Sequence, residues 1–187
     1  MATVVGMFEH MHEANHTVDD LTSAGFTKSQ IGVVARKEVL KKGGLDVATG
    51  AEVGAISGAT TGGIAGLLVG LGAITIPALA IPVAGEVVAA GSFLIALGAL
   101  VIGLVGGGIA GGLVGALAGF GISEARAQQF AEGVAKGHIL VTVQAEPDRA
   151  QTAADIMRTN NALEVDVSGM EVPGLPPEIV PQQQQPT

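Results

Sequence analysis

The chain reads as an α+β protein: a ferredoxin-like sandwich of two β-α-β halves, split in its middle by a long glycine-zipper helical hairpin. Three observations predict this. Each flank alternates short β-prone runs with a helical period, the stretch from Glu52 to Glu124 holds a single charged residue between its ends (Glu86), and glycine recurs there at every fourth position in two runs. The expected units are residues 1–46 as the first half of the domain, 47–122 as the hairpin, 123–168 as the second half, and 169–187 as a tail rich in proline and glutamine.

In the first half, Thr3 to Phe8 is β-prone, Met11, Ala14, Val18 and Leu21 recur at helical spacing, and Gly25 is a natural stop. Ile31 to Ala35 reads as a second strand, and Arg36 to Asp46 as a polar connector. In the second half, Ser123 is placed to cap a helix through Lys136, closed by Gly137. His138 to Ala145 is the best strand signal in the chain. Pro147 opens a helix through about Asn160, and Leu163, Val165 and Val167 alternate with Glu164 and Asp166 as a last strand. The tail from Gly169 carries five of the eight prolines and the run Gln182 to Gln185, which predicts an extended spacer.

The insert carries the glycine repeat: Gly50, Gly54, Gly58, Gly62, Gly66 and Gly70, then Gly103, Gly107, Gly111, Gly115 and Gly119. Positions four apart share one helical face, so each run forms a groove without side chains that a second backbone can approach closely. In water each glycine weakens a helix by about 0.5–1 kcal/mol, whereas a bilayer enforces helix and favours small residues at helix contacts. Val53 to Ile76 would span roughly 36 Å as a helix against a hydrocarbon core of about 30 Å, and Val87 to Gly119 is longer still. Pro77, Pro82, Gly85 and Glu86 would form the tip. Arg36, Lys37, Lys41, Lys42 and Arg126 flank the block while the tip lacks Lys and Arg, which predicts a cell-membrane protein with both termini cytoplasmic. Membrane lipid and further copies of the chain are then the expected partners.

Composition narrows the function. The net charge of -8 argues against a nucleic-acid partner, since phosphate binding needs clustered cations. There is no cysteine, so thiol chemistry and thiolate metal sites are excluded. The N-terminus lacks a basic segment followed by an apolar run, and Glu9 and Glu13 interrupt any such run, so no secretory signal is expected.

One motif points to chemistry. His12-Glu13-Ala14-Asn15-His16 matches H-E-x-x-H, in which two histidines one turn apart bind zinc and the glutamate activates water. On the proposed helix His12 and His16 lie roughly opposite the apolar stripe, so they face solvent, and no third ligand follows. They are weak metal candidates, no residue is assigned a catalytic role, and no cofactor is expected. Glu86 reads as the solvent-facing tip, and no phosphate-binding loop of the G-x-x-x-x-G-K-[ST] type occurs.

Val4-Val5-Gly6-Met7-Phe8, Leu21 with Ala24-Gly25-Phe26, and Ile31-Gly32-Val33-Val34-Ala35-Arg36 resemble the bacterial general stress protein family with the heat-induced stress protein domain. Gly121-Ile122-Ser123-Glu124-Ala125, and Gly137-His138-Ile139-Leu140-Val141-Thr142-Val143, resemble the same family's re-entry after its glycine-rich insert. The resemblance covers about residues 3 to 168 and implies a ferredoxin-like domain, membrane association and a stress-linked role, with no catalytic residues to transfer. The tail departs from the family and suits a dedicated partner.

The leading expectation is a non-catalytic, membrane-associated scaffold that self-associates through its glycine helices. An alternative, which resembles in architecture an actinobacterial hydrogenase with a small glycine-rich scaffold subunit, has the hairpins close into the membrane stalk or anchor of a larger redox complex. That complex would be engaged through the α/β domain or the tail, and the apolar bundle could admit a quinone. A second alternative is a zinc-dependent hydrolase using His12, Glu13 and His16.

Overall fold

The structure, a computed structural model, describes residues 1–44, Ile64, 73–76, 87–91 and 110–168. The elements are β1 (Ala2–Phe8), α1 (Met11–Ser23), β2 (Ile31–Arg36), α2 (Lys37–Lys42), β3 (Ala73–Ile76), β4 (Val87–Gly91), α3 (Ala110–Gly119), α4 (Glu124–Lys136), β5 (Ile139–Ala145), α5 (Pro147–Thr159) and β6 (Glu164–Val167). Local chemistry explains most boundaries. Gly25 follows α1 at φ +88°, and Gly137 closes α4 at φ +103°, a backbone conformation that L side chains rarely adopt. Pro147 stands in the first turn of α5, where its missing N–H costs no helical bond.

The six strands form one antiparallel sheet in the order β3-β4-β2-β5-β1-β6. β5 lies between β1 and β2, pairing Val4 with Val143 on one side and Val33 with Val141 on the other. Strand alternation sends Val4, Phe8, Val33, Val141 and Val143 to one face, where they pack with Ala14, Val18 and Leu21 of α1 and Ala150, Ala153, Ala154 and Met157 of α5. Val5, Met7, Val34 and Leu140 point the other way, onto Leu113, Ala116 and Leu117 of α3 and Ala127, Phe130 and Val134 of α4. Gly133 brings α4 close to the sheet here, because an added Cβ would run into the Met7 sulfur. A polar clamp fastens α4 to the edge strand: Arg126 pairs with Glu164 and, at 2.9 Å, with Asp166, and lies over the Phe130 ring.

The expected fold class is corrected in two respects. The domain is not a two-layer sandwich interrupted by a separate helical hairpin: α3 and α4 cover the second face of the sheet, giving three layers. Nor do the described residues hold the expected pair of spanning helices. No helix among the described residues is long and apolar enough to cross a membrane. Ala73 to Ile76, expected to end the first helix, is a strand, as is Val87 to Gly91, expected to begin the second. The one described helix of the glycine runs, α3, has 10 residues, which is about 15 Å against the roughly 30 Å a span requires. The expected cell-membrane localisation and bilayer topology rest on spanning helices, and the described residues contain none.

The physical reason lies in how the backbone is satisfied. A bilayer was invoked because glycine-rich segments need an environment that enforces hydrogen bonding. β4 instead pairs along β2, from Gly32 with Gly91 to Arg36 with Val87, and β3 pairs along β4. At Ala73–Ile76 and Val87–Gly91 the sheet thus supplies the backbone partners that the helical reading places within a helix.

The connector expected from Arg36 to Asp46 holds a short helix, α2, whose Leu40 is buried in the first core. Gly50, Gly54, Gly58, Gly62, Gly66, Gly70, Gly103, Gly107, the tip at Glu86 and the tail from Gly169 lie outside the described residues.

Candidate functional site

The part of the glycine repeat that the structure describes is on α3. Leu113, Ala116 and Leu117 are buried against α4 and the sheet, at 2%, 1% and 0% exposure. At 100° per residue these three centre on one side of the helix, and positions 111, 115 and 119 centre almost opposite it. Gly115 is half-buried and Gly119 exposed, and a Cβ built on Gly119 meets nothing within 4 Å. The glycine face of α3 therefore turns away from the chain's own core. The helix ends where Phe120 N–H donates to Ala116 and Leu117 carbonyls and Ile122 N–H to Leu117, before Gly121 turns the chain at φ +85° into α4.

The H-E-x-x-H residues sit on the first turns of α1. His12 and His16 are exposed, and no group of three or more His, Cys, Asp or Glu side chains able to hold a metal occurs among the described residues. Glu13 serves the backbone instead, its Oε2 accepting the N–H of His10 at 3.3 Å, the reach-back bond that caps a helix start. His12 stacks on His10 with ring centroids 5.7 Å apart. The motif is thus spent on capping and on a solvated surface.

Between α1 and α5 runs an open groove of about 440 Å³, lined by Asp20, Thr152, Asp155, Ile156 and Thr159. Its carboxylates are engaged: Asp20 accepts from Asn160 at 2.9 Å, and Asp155 from Gln151 at 2.8 Å and Arg158 at 3.0 Å.

Sequence reading missed two contacts. The sequence marks Arg126 only as a charge flanking the apolar block, yet it binds both outward carboxylates of β6. The alternation Glu164, Asp166 on a half-exposed strand was the available signal, since two like charges on one face call for a cation. The second contact joins α1 to the insert. Ile64, 0% exposed, sits in the first core, and its N–H donates to Asn15 Oδ1 at 3.0 Å. Asn15 lies inside the H-E-x-x-H segment, and nothing in either local sequence signals a bond across 49 positions.

Two polar atoms of the second layer, His138 Nδ1 and Thr142 Oγ1, are buried without a hydrogen-bond partner among the described residues. Comparison with protein-family models, curated proteins and solved structures finds no match to this chain.

Proposed function

We propose that the chain is a non-catalytic scaffold that self-associates through the glycine face of α3 and the apolar insert that α3 closes. The observation that carries this reading is the orientation of α3: its bulky residues serve the chain's own core, while Gly115 is only half-buried and Gly119 is exposed on the opposite side. A face without side chains gains little from water and much from a second backbone brought close. The α/β domain and the tail then remain for a larger complex. The stress-linked role is implied by the family resemblance alone.

The test is the substitution Gly119→Leu. Space beyond Gly119 means that the domain should unfold at nearly the wild-type urea midpoint. The oligomer mass measured by light scattering should fall, because an isobutyl group cannot enter a backbone-to-backbone contact. Unchanged mass would remove this face from the interface and the scaffold reading with it.

The single ionisable residue between Glu52 and Glu124 favours one extension of this reading. Assembled inserts would enclose an apolar lumen that admits a lipid-soluble molecule such as a quinone and rejects ions, as a stalk subunit of a larger redox complex would. Solvent extraction of the purified oligomer followed by mass spectrometry tests it: a stoichiometric quinone supports the stalk, and an empty extract from chain produced in a quinone-rich host counts against it.

A further inference from the structure

The bond between Asn15 and Ile64 ties a helix of the α/β domain to a point inside the first glycine run. Ile64 stands between Gly62 and Gly66 in the sequence, in a glycine-rich stretch where the unfolded chain has much freedom to lose. Its side chain is completely buried in the cluster that includes Val18 of α1 and Leu40 of α2. Ile64 has helical conformation, yet its N–H goes to a side chain of a different element. Asn is among the side chains that best satisfy a backbone amide at a helix start. Asn15 is half-buried on α1, between the exposed His12 and His16, and its carbonyl oxygen is aimed inward at the insert.

We propose that Asn15 and Ile64 form a clasp that fixes the insert against α1 and presents it for assembly. The proposal rests on the scaffold reading above. A glycine-rich sequence has much conformational freedom to lose when it is ordered to pack on a second copy, and that cost opposes association. An anchor made inside one chain removes part of this cost before the copies meet. In this view Asn15 is a positioning residue: it touches no partner and acts through Ile64.

The experiment uses the full chain with Asn15→Ala, Asn15→Asp and, as a control one position away, His16→Ala. Alanine is the better helix former, so α1 should survive the loss of the amide. Aspartate keeps an oxygen where Oδ1 stands and should restore the bond. Two quantities are read: exchange of the Ile64 amide hydrogen by NMR, and the concentration at which the oligomer half-dissociates in sedimentation velocity.

Asn15→Ala should speed Ile64 exchange at least tenfold and raise the half-dissociation concentration about fivefold, the factor expected for one hydrogen bond of ordinary net strength. Asn15→Asp and His16→Ala should leave both near wild type. Unaltered Ile64 exchange in Asn15→Ala would show that there is no clasp. Faster exchange with unchanged assembly would show that the clasp does not govern association. A wild-type chain that is monomeric at every concentration would sink the scaffold reading itself, and the clasp's role in assembly with it, while the exchange data would still decide whether the insert is held.

Discussion

β2 and β4 lie side by side in one sheet, but only β2 is written in the sequence as a strand. Ile31 to Ala35 is a short β-branched run between a turn and a charged segment, and it could be little else. Val87 to Gly91 is Val-Val-Ala-Ala-Gly, apolar on all sides and continuous with a long stretch of the same kind. A strand with both faces covered and a buried helix have the same composition, and periodicity does not separate them. What separates them is a neighbour. With β5 on one side, β2 would otherwise offer a bare, uncharged edge over Ile31 to Ala35, the kind of edge that proteins cover. β4 covers it and β3 extends it. The α/β flanks are thus determined by local pattern, and the insert by what the flanks leave unpaired.

The sharpest way to break this comparison is Val88→Pro. Val88 pairs with Ala35 of β2 and Thr75 of β3, so β4 is flanked by strands on both sides. Proline there removes a donor and cannot sit flat in the ladder, and a loss of roughly 2–4 kcal/mol is expected, read as a lower urea midpoint for the whole domain. Had a helix begun at Val87, proline would have occupied its first turn, where it is tolerated. Wild-type stability in Val88→Pro would therefore restore the helical reading of this segment.

The same contrast explains how far the sequence could be read. Seven elements, β1, α1, β2, α4, β5, α5 and β6, stand within a few residues of where propensity, caps and periodicity put them: β-branched runs bounded by turn or charge signals mark the buried strands β1, β2 and β5, and a half-exposed face marks the others. The alternation of Val165 and Val167 with Glu164 and Asp166 is such a mark. Ala73 to Ile76 carries none, since no polar residue except Thr75 marks a face. The layering was hidden for the same reason: α3 is Gly, Ala, Leu and Val throughout, and only packing shows that Leu113 and Leu117 face the sheet while Gly115 does not. As for the candidate site, the period of four was legible and its direction was not. The Asn15–Ile64 bond had no local signal at all, because it depends on where two distant segments are brought together.

The far edge of the sheet offers a second, smaller test. β3 and β4 are held by backbone pairing, whereas β6 is held to α4 also by side chains, through Arg126 with Glu164, Asp166 and the Phe130 ring. Arg126 and Glu164 are each about a quarter exposed, so solvent screens part of the attraction. Arg126→Ala should cost about 1–2 kcal/mol, more than a surface pair and less than a buried one. A double-mutant cycle with Glu164→Gln should show a coupling that shrinks as salt is raised from low to high concentration. Zero coupling at low salt would mean that α4 is held by Phe130 and its apolar neighbours alone.

The smallest effect is expected where the sequence motif is most suggestive. Glu13→Gln would abolish activity in a zinc hydrolase built on His12 and His16, because glutamine cannot take a proton from water. In this structure Glu13 works through Oε2 as acceptor for the His10 N–H, and the amide oxygen of glutamine can accept the same bond, as the capping box allows at this position. What changes is the charge in the first turn of α1, where a carboxylate favours the helix by about 0.3–1 kcal/mol. The urea midpoint should therefore move only slightly, downward, and less so as salt is added. A purified chain without a histidine tag should hold far less than one zinc per molecule, in wild type and variant alike. Stoichiometric zinc, together with hydrolysis of a peptide library that disappears in Glu13→Gln, would overturn the capping account and put chemistry on the face of α1 that the fold leaves to solvent.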